Sequence, residues 1–471
     1  MKKTLALLLA LGMLVLMLAG CQVNREKDMA QIVLQVGDVT YTKQQVYDTV
    51  TDYFTSMGYS IDLMDETMEE STREQMDAML EDYLDYLMQM EVAAIIVDRD
   101  MPLSEEEIAE ADASVDQYVE FVKAYMLTED EDPEAAEENA QAEGEDIDAQ
   151  VDAFFLENTG MTLQEYREEV YKQVKLEKLG NALAKDVTAS DEQVKARYET
   201  DLQSQKEAAI TGETYYESVV TGDSDLIGAY TLHKASGYQL VKHILFTFTE
   251  EQQDELEALQ ETIDDEKSAK SDAETAKSEA EAAKLTAEDA GDTEEAAAQQ
   301  KIIDDKDAII SAQSARIETL QNQYFARRDE LAAGNVAKAQ DLVARLKAGE
   351  DFDTLLAEYG EDPGMKQGAS SITGYLISPT GYGFDETFVD AAQQLTEAGQ
   401  ISDPVVSDFG VHIVKLLYGT DEADLPYDLV KSIVQPLADE DAQQTAVDEG
   451  IQKYADELGV KVYPDRIKFV K

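Results

Sequence analysis

The sequence is poor in cysteine, histidine, proline and tryptophan. Its 471 residues include one cysteine, three histidines and eight prolines, and they include no tryptophan. A single cysteine cannot form a disulfide within the chain, and so few cysteines and histidines leave little for a Cys/His metal site. We therefore expect no metal and no cofactor. The absence of proline between Pro133 and Pro363 favours helix over that stretch.

Basic charge is also scarce. Lys and Arg number 38 against 101 Asp and Glu, which gives a formal net charge of -63. Such a surface repels phosphate backbones, because nucleic-acid binding depends on neutralising phosphates with Lys and Arg. The composition therefore excludes nucleic acid as a partner. Hydrophobic residues still make up 44% of the chain, as in ordinary globular proteins, so wholesale disorder is disfavoured and the length predicts several domains.

Long hydrophobic runs are absent from the sequence except near its first residues. Two lysines precede the apolar run Leu5–Ala19, which overlaps the tetrapeptide Leu18-Ala19-Gly20-Cys21. This pattern predicts a signal peptide over residues 1–20. The tetrapeptide resembles the bacterial lipobox, which implies a lipid on Cys21, a tether over 21–31 and a protein anchored at the extracytoplasmic face of the cell membrane, in the outer leaflet. The alternative is a retained N-terminal anchor with an incidental cysteine.

The region 32–236 is predicted to be helical after a short β-hairpin over 32–41. Apolar side chains recur with the period of an α-helix, and three helix starts carry the capping-box pattern. The run 129–148 holds eleven acidic and no basic residues and is interpreted as a solvated loop, with contact to a cation or a client as the alternative. The apolar face consists of Met76, Met79, Leu80, Tyr83, Leu84, Leu87 and Met90, and the capping pairs are Ser104/Glu107, Thr162/Glu165 and Ser190/Gln193.

Residues 250–335 have the composition of an antiparallel coiled-coil hairpin, because they are rich in Ala, Glu, Lys, Asp and Gln and lack proline. The break between two arms of similar length is predicted at Ala290-Gly291-Asp292, so that both ends return to one place. We expect the hairpin to contribute little to the core of the flanking domain and to be separable from it. The second arm repeats Ile303, Ile310, Ile317, Tyr324 and Leu331, and the first has an alanine stripe at Ala269, Ala273, Ala276, Ala280 and Ala283.

Short motifs flank the hairpin on both sides. A strand is predicted over 238–246, and an amphipathic helix over 336–347 that ends at Gly349. With the motifs that follow, this series resembles the parvulin family of peptidyl-prolyl isomerases over 237–248 and 336–417. The later motifs are Asp351–Ala357, Gly360-Glu361-Asp362-Pro363, Gly374-Tyr375-Leu376, Phe384–Leu395 and Gly399–Lys415, the last of which contains Phe409-Gly410-Val411-His412-Ile413.

The resemblance implies a catalytic site for cis-trans isomerisation of X-Pro bonds. Each residue of this site also has a simpler interpretation. The histidines can be satisfied core residues, Asp362 can initiate a turn, and Phe388 can be a core aromatic. His233 lies outside the motifs and is expected on the surface. The implied residues are His243 and His412 as a facing pair on adjacent strands, Asp362 beside the carbonyl of the rotating bond, Ser407 in the same network, and Phe388 as the aromatic wall of the proline pocket.

The chain departs from the parvulin pattern in the proline pocket. Ser370-Ser371-Ile372-Thr373-Gly374 stands where the family has Gly-Gly-Asp/Glu-Leu-Gly, so the hydroxyl of Thr373 replaces an apolar group. The pocket methionine of the family has Tyr382 or Phe384 as its replacement. Weak activity or an altered preference follows from these departures.

The predicted fold class is α+β, with a helical chaperone domain and a small parvulin domain that a coiled-coil hairpin interrupts. The first β-hairpin and the run Asn158–Arg167 look like the chaperone portion of PrsA- and SurA-type foldases. The expected layout is a chaperone domain over 32–236, a parvulin domain over 237–249 and 336–420, the hairpin over 250–335, and a segment over 421–471 that packs on the chaperone domain.

These expectations describe a lipid-anchored extracytoplasmic foldase whose clients are unfolded exported polypeptides with X-Pro bonds. The alternative is a holdase or surface-binding lipoprotein whose parvulin fold does not catalyse, which the hydroxyl of Thr373 favours. A coiled-coil spacer in the cell wall would explain the hairpin but not the paired histidines. The oligomeric state stays open.

Overall fold

The computed structural model describes residues 25–56, 68–126, 147–221, 230–381 and 383–468. The expectations for the signal peptide, for Cys21, for Tyr382 and for most of the acidic run 129–148 lie outside these residues. The described chain forms two compact units, the first made of residues up to 188 and from 439 onward, the second of residues 189–438. Within the described residues, no helix combines the length and the apolar character needed to cross a membrane.

Helices predominate, and the three predicted capping boxes form at Ser104, Thr162 and Ser190. The helices are α1 (Arg25–Met29), α2 (Lys43–Ser56), α3 (Glu70–Asp100), α4 (Glu105–Met126), α5 (Ile147–Thr159), α6 (Leu163–Ala184), α7 (Asp191–Thr211), α8 (Glu213–Thr221), α9 (Glu250–Ala290), α10 (Thr293–Lys347), α11 (Phe352–Tyr359), α12 (Ser370–Thr373), α13 (Glu386–Gln393), α14 (Tyr427–Leu458) and α15 (Pro464–Ile467). The strands are β1 (Ile32–Val36), β2 (Val39–Thr42), β3 (His233–Lys234), β4 (Gln239–Thr247), β5 (Tyr375–Ile377), β6 (Val405–Ser407), β7 (Gly410–Tyr418), β8 (Ala423–Asp424) and β9 (Lys461–Val462).

The first unit combines a small antiparallel sheet with packed helices. Its strand order is β2-β1-β9, so a strand from the C-terminal segment lies beside the predicted N-terminal β-hairpin. The apolar face predicted on α3 packs with β1 and with the end of α14 in one hydrophobic core. The C-terminal segment thus completes this unit.

The second unit is built on a four-stranded antiparallel sheet in the order β5-β4-β7-β6. Because successive side chains of a strand point to opposite faces, β4 contributes to two separate cores. Val241 packs with Val414 and with α13 on one face, whereas Ile244 packs with α10 and α11 on the other. The α+β fold class predicted from the sequence is confirmed.

Helices α9 and α10 form the predicted antiparallel hairpin, and its break falls at the predicted position. Gly291 ends α9 with a φ of +75°, a left-handed conformation that its missing Cβ permits, and Asp292 accepts hydrogen bonds from the first amides of α10. Ion pairs join the arms along their length, and partner numbers fall in one arm as they rise in the other. These pairs are Glu255–Arg327 at 2.6 Å, Glu266–Arg316 at 2.7 Å and Lys277–Asp307 at 2.7 Å.

The base of the hairpin differs from the sequence-based expectation. Leu256, Ile263 and Tyr324 are buried in the same hydrophobic core as β4 residues Ile244 and Phe246, so the expectation that the hairpin contributes little to the domain core is wrong at its base. The second arm also continues without a break through 336–347, the predicted separate helix. Gly334, just before this stretch, does not end the helix, because it lacks the positive φ of a helix-ending glycine.

The unit boundaries and one histidine also differ from expectation. The division falls at 188/189 and 438/439 rather than at 236 and 421, because α7, α8 and the start of α14 pack around β3 and β8. His233 is in β3 and only 2% exposed, so its predicted surface position is wrong. Its Nδ1 lies 2.8 Å from Oδ1 of Asp424, which satisfies the buried ring. The regular helical period of the sequence continues across residue 189 and carries no signal for this boundary.

Candidate active site

Two imidazole rings lie side by side in the sheet of the second unit. His243 in β4 and His412 in β7 are each 3% exposed, and their Nδ1 atoms are 2.8 Å apart. The strand register pairs His412 with Leu245 and His243 with Val414, so the two histidines are diagonal neighbours on one face. The rings are nearly parallel, with an interplanar angle of 13°.

Each imidazole has a second polar partner. Nε2 of His412 lies 2.6 Å from Oγ of Ser407, which in turn accepts a hydrogen bond from the amide of Phe409 at 3.0 Å. Nε2 of His243 lies 2.5 Å from Oδ2 of Asp362. The four predicted catalytic residues therefore form one continuous hydrogen-bonded row.

Asp362 is held by two more donors at the end of this row. Its Oδ1 accepts from the amide of Gly364 at 2.9 Å, and its Oδ2 accepts from the hydroxyl of Tyr375 at 2.8 Å. A Cβ added to Gly364 would lie 2.1 Å from that hydroxyl, so glycine is required for the tyrosine to reach the carboxylate. Asp362 also precedes the 3₁₀ turn at Pro363–Met365, as the turn-initiating interpretation expects, and its catalytic role stays a prediction.

The row has a consistent set of donors and acceptors. A carboxylate only accepts, so His243 presents an Nε2–H to Asp362. When both rings are uncharged, His412 donates from Nδ1 to Nδ1 of His243 and accepts at Nε2 from the hydroxyl of Ser407. Every polar hydrogen in the row then has an acceptor, which fixes the orientation of both rings.

Burial and hydrogen bonding determine the charges of the row. Desolvation, and then the neighbouring His243, lower the pKa of His412 to about 3, so this ring is neutral at neutral pH. Burial raises the pKa of Asp362, but the hydrogen bonds from His243, Tyr375 and Gly364 outweigh it and hold the pKa below its ordinary value. The row therefore combines a buried neutral imidazole with an ionised carboxylate.

An aromatic wall covers the imidazole pair. The ring of Phe388, on α13, lies 5.0 Å from that of His243 and 5.1 Å from that of His412, centroid to centroid. Phe384 lies 5.8 Å from Phe388 and 5.4 Å from Tyr375. The arrangement places apolar ring surface directly against a polar floor.

The other pocket residues predicted from the sequence are placed as follows. Phe384 joins the aromatic wall, and Tyr382 lies outside the described residues. Thr373 is buried in α12, where its hydroxyl donates to the carbonyl of Ala369 at 3.2 Å, so the hydroxyl is satisfied by the main chain. Tyr375 was not predicted as a site residue; its place in the motif Gly374-Tyr375-Leu376 was the available signal.

The geometry can be compared with known proteins. The family model described as Rotamase, PPIC-type PPIASE domain, matches residues 323–417. This part of the chain is a parvulin-type domain. The match includes Asp362, Ser407 and His412 and begins within the second arm of the hairpin, so the strand with His243 lies outside it although the structure joins both parts in one sheet.

Curated relatives resemble this chain over a limited length. Foldase protein PrsA 4 of Bacillus cereus is 41% identical over 99 residues, and foldase protein PrsA of Clostridium botulinum is 34% identical over 112 residues. These matches span 21% and 23% of this chain and 32% of each relative. The aligned segment thus covers about a third of the relatives' length.

Solved structures of similar proteins align over more of the chain at lower similarity. PrsA from Bacillus subtilis is 17% identical, with 91% of this chain and 93% of that chain covered and a TM-score of 0.23. PrsA from Streptococcus pneumoniae is 11% identical, with 93% and 97% covered and a TM-score of 0.21. Scores this low do not establish a shared overall arrangement.

Proposed function

We propose that the second unit catalyses cis-trans isomerisation of X-Pro bonds. Rotation about such a bond has a barrier of about 18–20 kcal/mol because amide resonance must be broken, and no covalent bond is exchanged. A catalyst for this reaction needs an apolar surface for the prolyl ring and fixed polar groups beside the amide. The observation that carries the proposal is the contact of Phe388 with both rings of the hydrogen-bonded pair, His243 and His412.

The residues divide into two roles in this proposal. Phe388 and Phe384 receive the prolyl ring and remove water from the amide. Asp362, held by Tyr375 and by His243, lies beside the carbonyl of the rotating bond and favours the twisted amide over either planar isomer. The neutral His412 and Ser407 fix the ring of His243 and therefore the carboxylate. Because the polar groups are already oriented, the site does not reorganise during rotation.

The wider role we propose is that of a lipid-anchored extracytoplasmic foldase. The signal-peptide pattern of residues 1–20 and the lipobox-like Cys21 support anchoring at the outer leaflet of the membrane. Curated relatives that match about a fifth of this chain are named foldase proteins. The clients would be unfolded exported polypeptides, on which the isomerase unit and the helical first unit would act together.

A second candidate is a holdase with a parvulin fold but without catalysis. Thr373 favours it, because a hydroxyl stands where parvulins have an apolar pocket residue. The burial of this residue and the bond from its hydroxyl to Ala369 limit the effect on pocket polarity.

The two candidates are separated by measuring isomerisation of a short X-Pro peptide by NMR exchange. We expect the full chain to accelerate exchange and Phe388→Ala to reduce the acceleration by about tenfold or more, because the variant loses the apolar wall. Absence of acceleration by the wild type, with suppression of client aggregation retained, would assign the protein to the holdase class.

A further inference from the structure

The base of the hairpin contacts the turn that carries Ser407. This turn joins β6 to β7 through only two residues, Asp408 and Phe409, and Ser407 pairs with Gly410 across it. A Cβ on Gly410 would lie 2.0 Å from the carbonyl oxygen of Phe246, so the turn is packed directly against β4. In a connection this tight, a displacement of Asp408 displaces its neighbour Ser407.

The side chain of Arg328 in α10 pairs with Asp408 from the hairpin side, and Tyr324 lies one helical turn before it. The guanidinium of Arg328 lies 3.3 Å from Oδ1 of Asp408, and the Arg328 side chain is 12% exposed. Tyr324 is 6% exposed and packs in the same hydrophobic core as Ile244, and its burial, followed by the charge of the Asp408 carboxylate, raises its pKa to about 12. The side chain of Asp408 is 52% exposed, so water screens the ion pair in part, and its effect is to orient the turn rather than to add much stability.

Asp408 also connects to the aromatic wall. Its amide donates to Oδ2 of Asp385 at 3.3 Å, while Oδ1 of Asp385 accepts from the amides of Thr387 and Phe388 at 2.8 and 3.1 Å. Asp385 thus caps α13 and ties it to the turn at the same time. The wall and the floor of the site are fixed to each other through this pair of aspartates.

We propose that Arg328, acting through Asp408, is a positioning residue of the isomerase site. The hairpin base then holds Ser407 against His412 and, through Asp385, holds Phe388 over the imidazole pair. The inserted hairpin is by this inference a part of the catalytic architecture. The effect on turnover rests on the proposed isomerase function, whereas the effect on the geometry of His412 does not.

The test compares two neighbouring arginines in the full chain. Arg328→Gln removes the ion pair with Asp408, and combining it with Tyr324→Phe also removes the neighbouring hydroxyl while keeping the buried ring. Arg327→Gln is the matched control, because Arg327 pairs with Glu255 on the other arm at 2.6 and 2.9 Å. Turnover of a short X-Pro peptide and the imidazole nitrogen resonances are measured, and His233, in a separate two-stranded sheet, is an internal reference.

We expect the double variant to reduce kcat by about tenfold with KM nearly unchanged, since small displacements of oriented groups have effects of this size. The resonances of His412 should shift in the double variant, whereas those of His233 should not. Arg327→Gln should leave both sets of resonances unchanged. Arg328→Lys in place of Arg328→Gln should restore part of the lost kcat. Unchanged His412 resonances in the double variant, or an equal effect of Arg327→Gln, overturn the inference. A wild type without turnover refutes the proposed function, and the resonances then still decide the positioning role.

Discussion

The Nδ1 atoms of His243 and His412 lie 2.8 Å apart although 169 residues separate the two histidines along the chain. The helical hairpin accounts for about half of that separation, and its antiparallel arms return the chain to the sheet that it left. Its base then packs into the core beneath the imidazole pair. The insertion and the site are therefore joined in one structure. Variants that separate the contribution of the hairpin arms from that of the site must leave the hairpin base in place.

The first prediction concerns pH and His412. The pKa of this ring is lowered from 6.5 to about 3 in the folded protein, so the unfolded chain binds a proton at higher pH than the folded chain does. The stability contributed by the neutral ring is complete above pH 6.5 and decreases as the pH falls from 6.5 towards 3. Urea unfolding of the second unit, followed by methyl NMR signals of Ile244 and Ile413, should show this decrease.

Comparison with His412→Gln isolates the contribution of this ring from that of the many carboxylates. The variant cannot titrate at this position, so its stability should depend less steeply on pH between 6.5 and 3 than that of the wild type. Asp362, whose pKa is lowered, loses its contribution only as the pH falls below its ordinary value of 3.8. Identical pH slopes for the two proteins would show that His412 does not remain neutral.

The second prediction concerns the hydroxyl of Tyr375. Tyr375→Phe removes one donor from Asp362, so we expect the pKa of Asp362 to rise and kcat/KM for an X-Pro peptide to fall severalfold. The free energy of unfolding should decrease by about 1 kcal/mol, the usual net value of such a bond. Peptide exchange measurements and urea titration provide both quantities.

Tyr427→Phe is the matched control for this loss. The buried hydroxyl of Tyr427 has no hydrogen-bond partner in the described part of the chain, so its removal should be neutral or slightly stabilising. Equal effects of the two substitutions on kcat/KM would contradict a specific role for Tyr375.

The third prediction separates the hairpin arms from their base. Replacing residues 267–315 with a short Gly-Ser loop retains the pair Glu266–Arg316 at the cut and leaves the buried base intact. We expect this variant to fold and to act on a short peptide as the wild type does. We also expect its action on a full-length unfolded client to weaken, on the hypothesis that the arms serve as a clamp or spacer for long clients.

The longer replacement of residues 251–332 should have a different result. It removes Leu256, Ile263 and Tyr324 from the core, and each buried side chain is worth roughly 1.5–3 kcal/mol. A lower unfolding midpoint of the second unit is expected in circular dichroism and urea titration. Full stability after this deletion would show that the base is dispensable, and normal handling of full-length clients by the shorter deletion would exclude the clamp.

The fourth prediction concerns membrane attachment. If Cys21 carries a lipid, Cys21→Ala should release the protein from membranes or leave its precursor unprocessed. Fractionation and immunoblotting of the two proteins measure both outcomes. A processed mutant that still requires detergent for extraction would refute the lipobox interpretation.

Local signals allowed much of the chain to be predicted from its sequence. The capping boxes at Thr162 and Ser190 and the glycine end of α9 at Gly291 depend on residues a few positions apart, so their chemistry is visible in the sequence. The spaced motifs likewise identified four polar site residues that the structure brings together, though their catalytic roles remain predictions.

Other features depended on contacts between distant parts of the chain. The burial of His233 requires Asp424 as its partner, and the burial of Tyr324 requires the edge of a sheet formed by residues on both sides of the hairpin. Neither hydrophobic periodicity nor a helix-capping motif predicts such pairings, because only tertiary packing brings these residues together. The approach of Tyr375 to Asp362 is of the same kind, since it depends on the missing Cβ of Gly364.

The sequence by itself determined the helical character of much of the chain, the helix starts with capping boxes, the returning hairpin and the residue types of the site, because each follows from local chemistry or from spacing along the chain. The tertiary structure alone decided the unit boundaries, the burial of the hairpin base and the contact of Arg328 with Asp408. The physical reason is that hydrophobic burial has no direction along the chain: it selects whichever surfaces fit, and those surfaces come from segments that the sequence separates.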